Sequence, residues 1–172
     1  MRSTLSFVLA FVACIATGCG KNTPPSQEMP NTVIGIDETS NEPRFTFKAP
    51  DGFVWNEEHK LFHHEELRAS ITMAHAPEQS LEFVIEDFSA DRMLSANMEL
   101  LEKDVREVND RKTLLVKGNR LNALYPQQFC TVAYGTDNGC AQLTVIYPTD
   151  LSDEVKSELE SALLNSTYGV PN

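Results

Sequence analysis

All four histidines of this chain fall between His59 and His75, and three of them sit in the run Glu57-Glu58-His59-Lys60-Leu61-Phe62-His63-His64-Glu65-Glu66. On a helix, His59 and His63 would stand one turn apart, the spacing at which two imidazoles share a zinc ion, with Glu66 as a third ligand. The competing reading is a solvated, charge-rich connection between two strands, where these side chains are merely polar. No complete His-Glu-x-x-His motif is present, and the second reading carries more weight. Glu78, Glu82 and Glu86 repeat every four residues and could line one helix face. Carboxylates that do acid and base work face each other across a cleft with perturbed pKa values, so this spacing reads first as the wet side of an amphipathic helix. Nucleophile-elbow, phosphate-loop and dinucleotide signatures are missing from the sequence. The expectation is therefore no catalytic residue, no cofactor and no enzyme, with a metal-binding protein or enzyme centred on His59–Glu66 as the alternative.

Cys130 and Cys140 are ten positions apart, which matches neither zinc nor thioredoxin spacing. Both fall on strands of an expected hairpin, and a disulfide is the leading expectation, closing a short loop for roughly 2–3 kcal/mol. There is a tension with the turn. An Asn138-Gly139 turn would pair Asp137 with Cys140 and leave Cys130 opposite Tyr147, so a bridge requires a register centred near Gly135 or a bulge; otherwise the thiols stay apart. Trp55, Phe62, Tyr125 and Tyr134 could form a ligand pocket or a partner patch, but core or sheet-face positions are the weightier reading. Asn165-Ser166-Thr167 matches a glycosylation sequon.

The elements that would position these residues begin after an export segment. Arg2 and the apolar stretch Leu5–Ala16 give residues 1–18 the form of a signal peptide, too short to cross a bilayer core about 30 Å thick. Ala16-Thr17-Gly18-Cys19 resembles the lipobox of bacterial lipoproteins, which implies an acylated Cys19 as the mature N-terminus and an exported domain anchored to a cell-envelope membrane. Each buried methylene of such chains contributes about 0.8 kcal/mol, enough together for stable anchoring. Residues 19–43 are rich in Pro, Ser, Thr and Asn and read as a flexible linker. Within them the apolar island Val33-Ile34-Gly35-Ile36 reads as part of the arm, with an added edge strand as the alternative.

Residues 44–172 read as one globular domain. Phe45-Thr46-Phe47 alternates as a strand, Pro50-Asp51-Gly52 is turn chemistry, and Phe53-Val54-Trp55 restarts a strand. Residues 68–75 alternate and stop at Pro77. Leu81, Val84, Ile85 and Phe88 fall at helical spacing. Ser89 is placed to cap a second helix running through about Leu101. Strands follow at Thr113–Lys117, Arg120–Tyr125, Phe129–Tyr134 and Gln142–Tyr147, with turns at Gly118-Asn119 and Asp137-Asn138-Gly139. Asp150 or Ser152 caps a last helix with the stripe Leu151, Val155, Leu159 and Leu163, and Glu154, Glu158 and Glu160 facing water. This order predicts an α+β fold with a central antiparallel sheet flanked by helices.

Composition narrows the partners. With 25 acidic against 14 basic side chains and a net charge of −11 in 172 residues, the chain lacks the basic surface that tracks phosphates, so nucleic acid is excluded as an expected partner. The expected partners are a membrane, through the N-terminal lipid, and a protein of unknown identity.

The run Phe45-Thr46-Phe47-Lys48-Ala49-Pro50-Asp51-Gly52-Phe53 resembles the opening of PsbP-like domains. Lys117 to Ala123, the long hairpin, Tyr147-Pro148 and the closing Leu163-Leu164-Asn165-Ser166 follow in that family's order. The resemblance implies an antiparallel sheet with helices on its faces, an α/β/α sandwich. It also implies a role in binding or assisting other proteins, since the family includes photosystem II extrinsic subunits, a Ran-binding factor and bacterial lipoproteins. No shared catalytic residues come with it, and fold alone does not fix function.

Overall fold

Glycine, proline and asparagine punctuate an otherwise strand-rich chain, and the computed structural model follows that punctuation through residues 32–34, 44–136 and 139–169, the residues it describes. The expected signal segment and Cys19 lie outside them. Seven strands form one sheet in which every neighbouring pair is antiparallel: β3 (Val54–Asn56), β4 (Leu61–His64), β5 (Ala69–Pro77), β6 (Met98–Val108), β7 (Arg111–Arg120), β8 (Gln127–Thr136) and β9 (Gly139–Pro148), in the spatial order β3-β4-β5-β9-β8-β7-β6. A smaller sheet places β2 (Arg44–Phe47) between β1 (Thr32–Ile34) and β10 (Thr167–Gly169). The apolar island expected in the arm is thus the alternative, an added strand: Thr32–Ile34 pair with Ile34 opposite Phe45.

Helices cover both faces of the large sheet, as alternation along each strand requires. On one face Leu115, Cys130, Val132, Tyr134, Leu143 and Val145 pack with Leu159 and Leu163 of α3 (Asp153–Leu164) and with Phe47 and Phe62. On the other, Leu114, Val116, Phe129, Ala133 and Cys140 pack under Leu81 and Val84 of α1 (Leu81–Asp87) and Met93 of α2 (Ala90–Ser95). Each helix starts at a serine whose hydroxyl accepts from a backbone N–H three residues on, Ser80 from Phe83, Ser89 from Arg92 and Ser152 from Val155.

Three local expectations are corrected. The helix expected through Leu101 ends at Ser95, because Asn97 takes a left-handed backbone (φ 58°) and the chain restarts as β6. Gly118-Asn119 is no turn but part of β7. A Cβ on Gly118 would come 2.1 Å from Glu99 O and 2.6 Å from the Phe129 ring, so glycine is required there by a close approach. Residues 121–126 are a connection, not a strand, with Asn122 at φ 61° and Pro126 unable to donate to a ladder.

Candidate functional site

The histidine-rich run contributes a turn and a strand instead of a helix. Residues 57–60 turn and 61–64 form β4, so His59 and Glu66 lie in turns at opposite ends of that strand. The helical spacing behind the zinc reading of His59, His63 and Glu66 is not realised. His59 N donates to Asn56 Oδ1 at 2.9 Å, and the exposed His63 stands opposite Val54. Among the described residues no group of three His, Cys, Asp or Glu is arranged to hold a metal ion. His64 has a positional role: Nδ1 accepts from Leu67 N at 3.3 Å, and its ring meets Phe53 edge-on at 5.3 Å between centroids. Glu57 binds Lys60 and accepts from Trp55 Nε1 at 2.6 Å, the Lys60 hydrogen bond doing most to hold its carboxyl below the usual range.

Of the three glutamates, Glu82 and Glu86 lie exposed on α1, the wet side their spacing predicts, and Glu78 stands apart. Glu78 precedes α1 with φ 71°, while Glu82 occupies the first turn. There its own backbone N–H, and then Lys112 at 3.3 Å, hold its carboxyl below the ordinary range. No facing carboxylate completes an acid–base pair among these three.

Cys130 and Cys140 are both free and both buried. Gly139 is the first ladder residue, opposite Thr136, which sets Gly135 against Cys140 and Val145 against Cys130. In that register an even-numbered residue of β8 shares a face with an odd-numbered residue of β9. The two even-numbered cysteines therefore go to opposite faces, Cys130 toward α3 and Cys140 toward α1, and the expected disulfide is excluded by the sheet itself. Burial pushes each thiol up to about 12, far from a reactive thiolate at neutral pH.

Of the aromatic residues considered as a pocket, Tyr134 and Phe62 are core. Tyr134 Oη donates to Leu163 O at 2.6 Å and meets Ser166 Oγ, while the Arg111 guanidinium lies 5.1 Å from the ring centroid and donates to Ser166 O at 3.1 Å. Ser166, the middle residue of the sequon, is thus held inside the fold.

Two clusters emerge that residue spacing did not disclose, because both join elements distant in sequence. The first is ionic. Lys117 Nζ lies 2.7 Å from Glu160 and 3.1 Å from Glu102, and Arg106 approaches Glu160 at 3.9 Å. Arg106 Nε is 2.9 Å from Asp104 Oδ2 yet misaligned, and it is buried without a hydrogen-bond partner. Burial pulls the Lys117 ammonium down, but the Glu160 and Glu102 carboxylates outweigh it and hold Lys117 above its ordinary value. Glu160, expected to face water, instead ties α3 to β6 and β7.

The second cluster gathers at one end of the sheet, where β4–β5, β7–β8 and β9–α3 all turn. Arg68 Nη2 reaches Asp150 at 3.3 Å and lies over the Tyr125 ring at 5.6 Å, and Thr149 N donates to Pro126 O at 3.2 Å. Leu121 N donates to Asn97 O at 2.8 Å, and Asn122 Nδ2 donates to Asn97 Oδ1 at 2.9 Å, tying the 121–126 connection to the end of α2. On this braced framework apolar side chains face outward: Leu124 is 95% exposed, Leu94 61% and Leu121 37%.

No protein-family model and no curated protein matches the chain. Among solved structures, the solution structure of cyanobacterial PsbP (CyanoP) from Synechocystis sp. PCC 6803 is similar at a TM-score of 0.55 and 14% identity, covering 88% of this chain and 97% of that one. The fold is PsbP-like. At that identity the likeness speaks for architecture: the seven-stranded antiparallel sheet with helices packed on it is the α+β arrangement the sequence resemblance implied.

Proposed function

We propose that the chain is a cell-envelope lipoprotein, exported and anchored through Cys19, whose PsbP-like domain is a non-catalytic binding or accessory module acting on a protein partner at a membrane surface. The observation that carries the binding reading is the apolar end built by Leu94, Leu121 and Leu124 on a hydrogen-bonded base. Surface leucines at a well-held connection cost solubility and contribute nothing to this chain's own core, so they favour a role in contact. The groups that could do chemistry have other work: the thiols are buried, the Tyr134 hydroxyl closes the end of α3, and the clustered carboxylates are paired with Lys117, Arg106 and Lys112. The anchor rests on the lipobox-like sequence ending at Cys19.

A photoreactive side chain placed at position 124 in the full chain, on its own membranes, is expected to give a discrete protein adduct, and the same group at position 58, in the exposed turn between β3 and β4 at the other end of the sheet, none. Equal adducts from both sites, or none from position 124, would remove the binding reading. Cys19→Ala is expected to lose palmitate labelling and leave the membrane fraction; unchanged labelling and retention would remove the anchor.

A further inference from the structure

The seven-stranded sheet has two edges of unequal kind. β3 is three residues long, whereas β6 runs for eleven, and its outer side has no strand partner among the described residues. A long open edge is a template for another strand, and proteins commonly blunt it with charge. Here the charges are arranged differently. A bulge at Leu101 interrupts the pairing of β6, and regular pairing with β7 then runs from Glu102 to Val108, with Val105 at its centre. Around Val105 the sequence reads Lys103-Asp104-Val105-Arg106-Glu107. Turned by a two-fold axis through Val105 and laid antiparallel on itself, this segment sets Lys103 opposite Glu107 twice and Asp104 opposite Arg106 twice, with Val105 meeting Val105.

The faces agree as well as the charges. Val105 stands opposite Leu114 on the α1 side, and Lys103, opposite Val116, donates to Ile85 O of α1 at 2.5 Å, so Lys103, Val105 and Glu107 share that face. Asp104, opposite Leu115, and Arg106 share the α3 face, where they already make an ion pair within one strand. A two-fold axis perpendicular to the sheet preserves both faces, so every opposite pair meets side chain to side chain. Val105, 42% exposed, would be covered by its own copy.

We infer that β6 is a self-recognition edge: two copies of this chain pair antiparallel through residues 102–108 about Val105, joining their sheets into one continuous sheet. The occupant is a second copy because the charge order is complementary to itself; a strand of unrelated sequence would meet like charges in most registers. This inference stands apart from the apolar end proposed above and from the anchor, since it uses neither.

Sedimentation equilibrium of the full chain in mild detergent tests it through the exposed outer pair. The wild-type chain is expected to dimerise at about 100 μM. Lys103→Glu sets Glu against Glu twice, and Glu107→Lys sets Lys against Lys twice, so each is expected to weaken dimerisation about tenfold. An equimolar mixture of the two variants restores complementarity and is expected to dimerise like wild type. So is the double variant Lys103→Glu with Glu107→Lys, which keeps the order with signs reversed and guards against a single variant that merely misfolds. A monomeric wild-type chain at that concentration, single variants that dimerise unchanged, or a double variant as weak as the singles would each overturn the inference.

Discussion

A tyrosine hydroxyl taken out of water must find partners inside, and Tyr134 finds the last turn of α3 through Leu163 O and Ser166 Oγ. Removing it leaves both without that partner, so Tyr134→Phe is expected to cost about 1–3 kcal/mol in urea unfolding, although it keeps the ring and its packing. An unchanged unfolding midpoint would show that the hydroxyl does not hold the helix end. At this scale the sequence is a partial guide. It marks Tyr134 as a core aromatic, but the hydroxyl's partners lie some thirty positions downstream, and Ser166 reads there as part of a sequon. The cysteines are a sharper lesson. Their strands are legible, yet a hairpin register is decided by which residues occupy the turn, and placing Gly139 in the turn instead of the ladder shifts the pairing. Neither register brings two even-numbered cysteines to one face.

β6 shows how an element escapes a reading by propensity. Met98 to Lys103 is rich in Leu, Glu and Met, which favour helix, and only the alternation of half-buried Met98 and Leu100 with exposed Glu99 points to a strand. Its true signal lies at the far end, where Asn109 (φ 51°) and Asp110 (φ 59°) make the two-residue turn into β7, a conformation that Asn and Asp tolerate and β-branched residues do not. Asp110→Val is therefore expected to lower stability by about 1–2 kcal/mol, read as a fall in thermal midpoint, without altering the burial of any core residue. By contrast α1 and α3 are plain in the sequence, because a serine cap precedes an apolar stripe in each and the stripe is what the sheet buries. The ionic cluster around Lys117 was not legible: its members come from β6, β7 and α3, and only the folded topology brings them together.

At the scale of the whole molecule, the sandwich was readable because strand order, helix stripes and turn residues agree with one another, whereas the apolar end was not, since exposure depends on what the fold leaves uncovered. The two-faced core also sets the response to alkali. Burial raises Cys130, Cys140 and Tyr147 each to about 12 and lifts Tyr134 as well, while its carboxylate partners lift Lys117. The folded chain holds these protons at a pH where the unfolded chain has begun to release them, so their contribution is complete below the ordinary values and is lost as pH rises toward the folded ones. The thermal midpoint is expected to fall from about pH 9 upward, beginning with the thiols. Cys130→Val with Cys140→Ala flattens the first part of that fall; an equally steep decline in the double variant would show that the thiols contribute nothing. The strand order has a temporal consequence too. β6, β7 and β8 each pair with the strand next in sequence, but β5 waits for β9, with Ser70 opposite Ile146 and Pro77 opposite Gly139. Closing so long a stretch of chain costs more conformational freedom than closing a hairpin. The β6–β9 meander is thus the part that can assemble early, and the β3–β5 segment, emerging from the ribosome before it, stays without its central neighbour until β9 has been made.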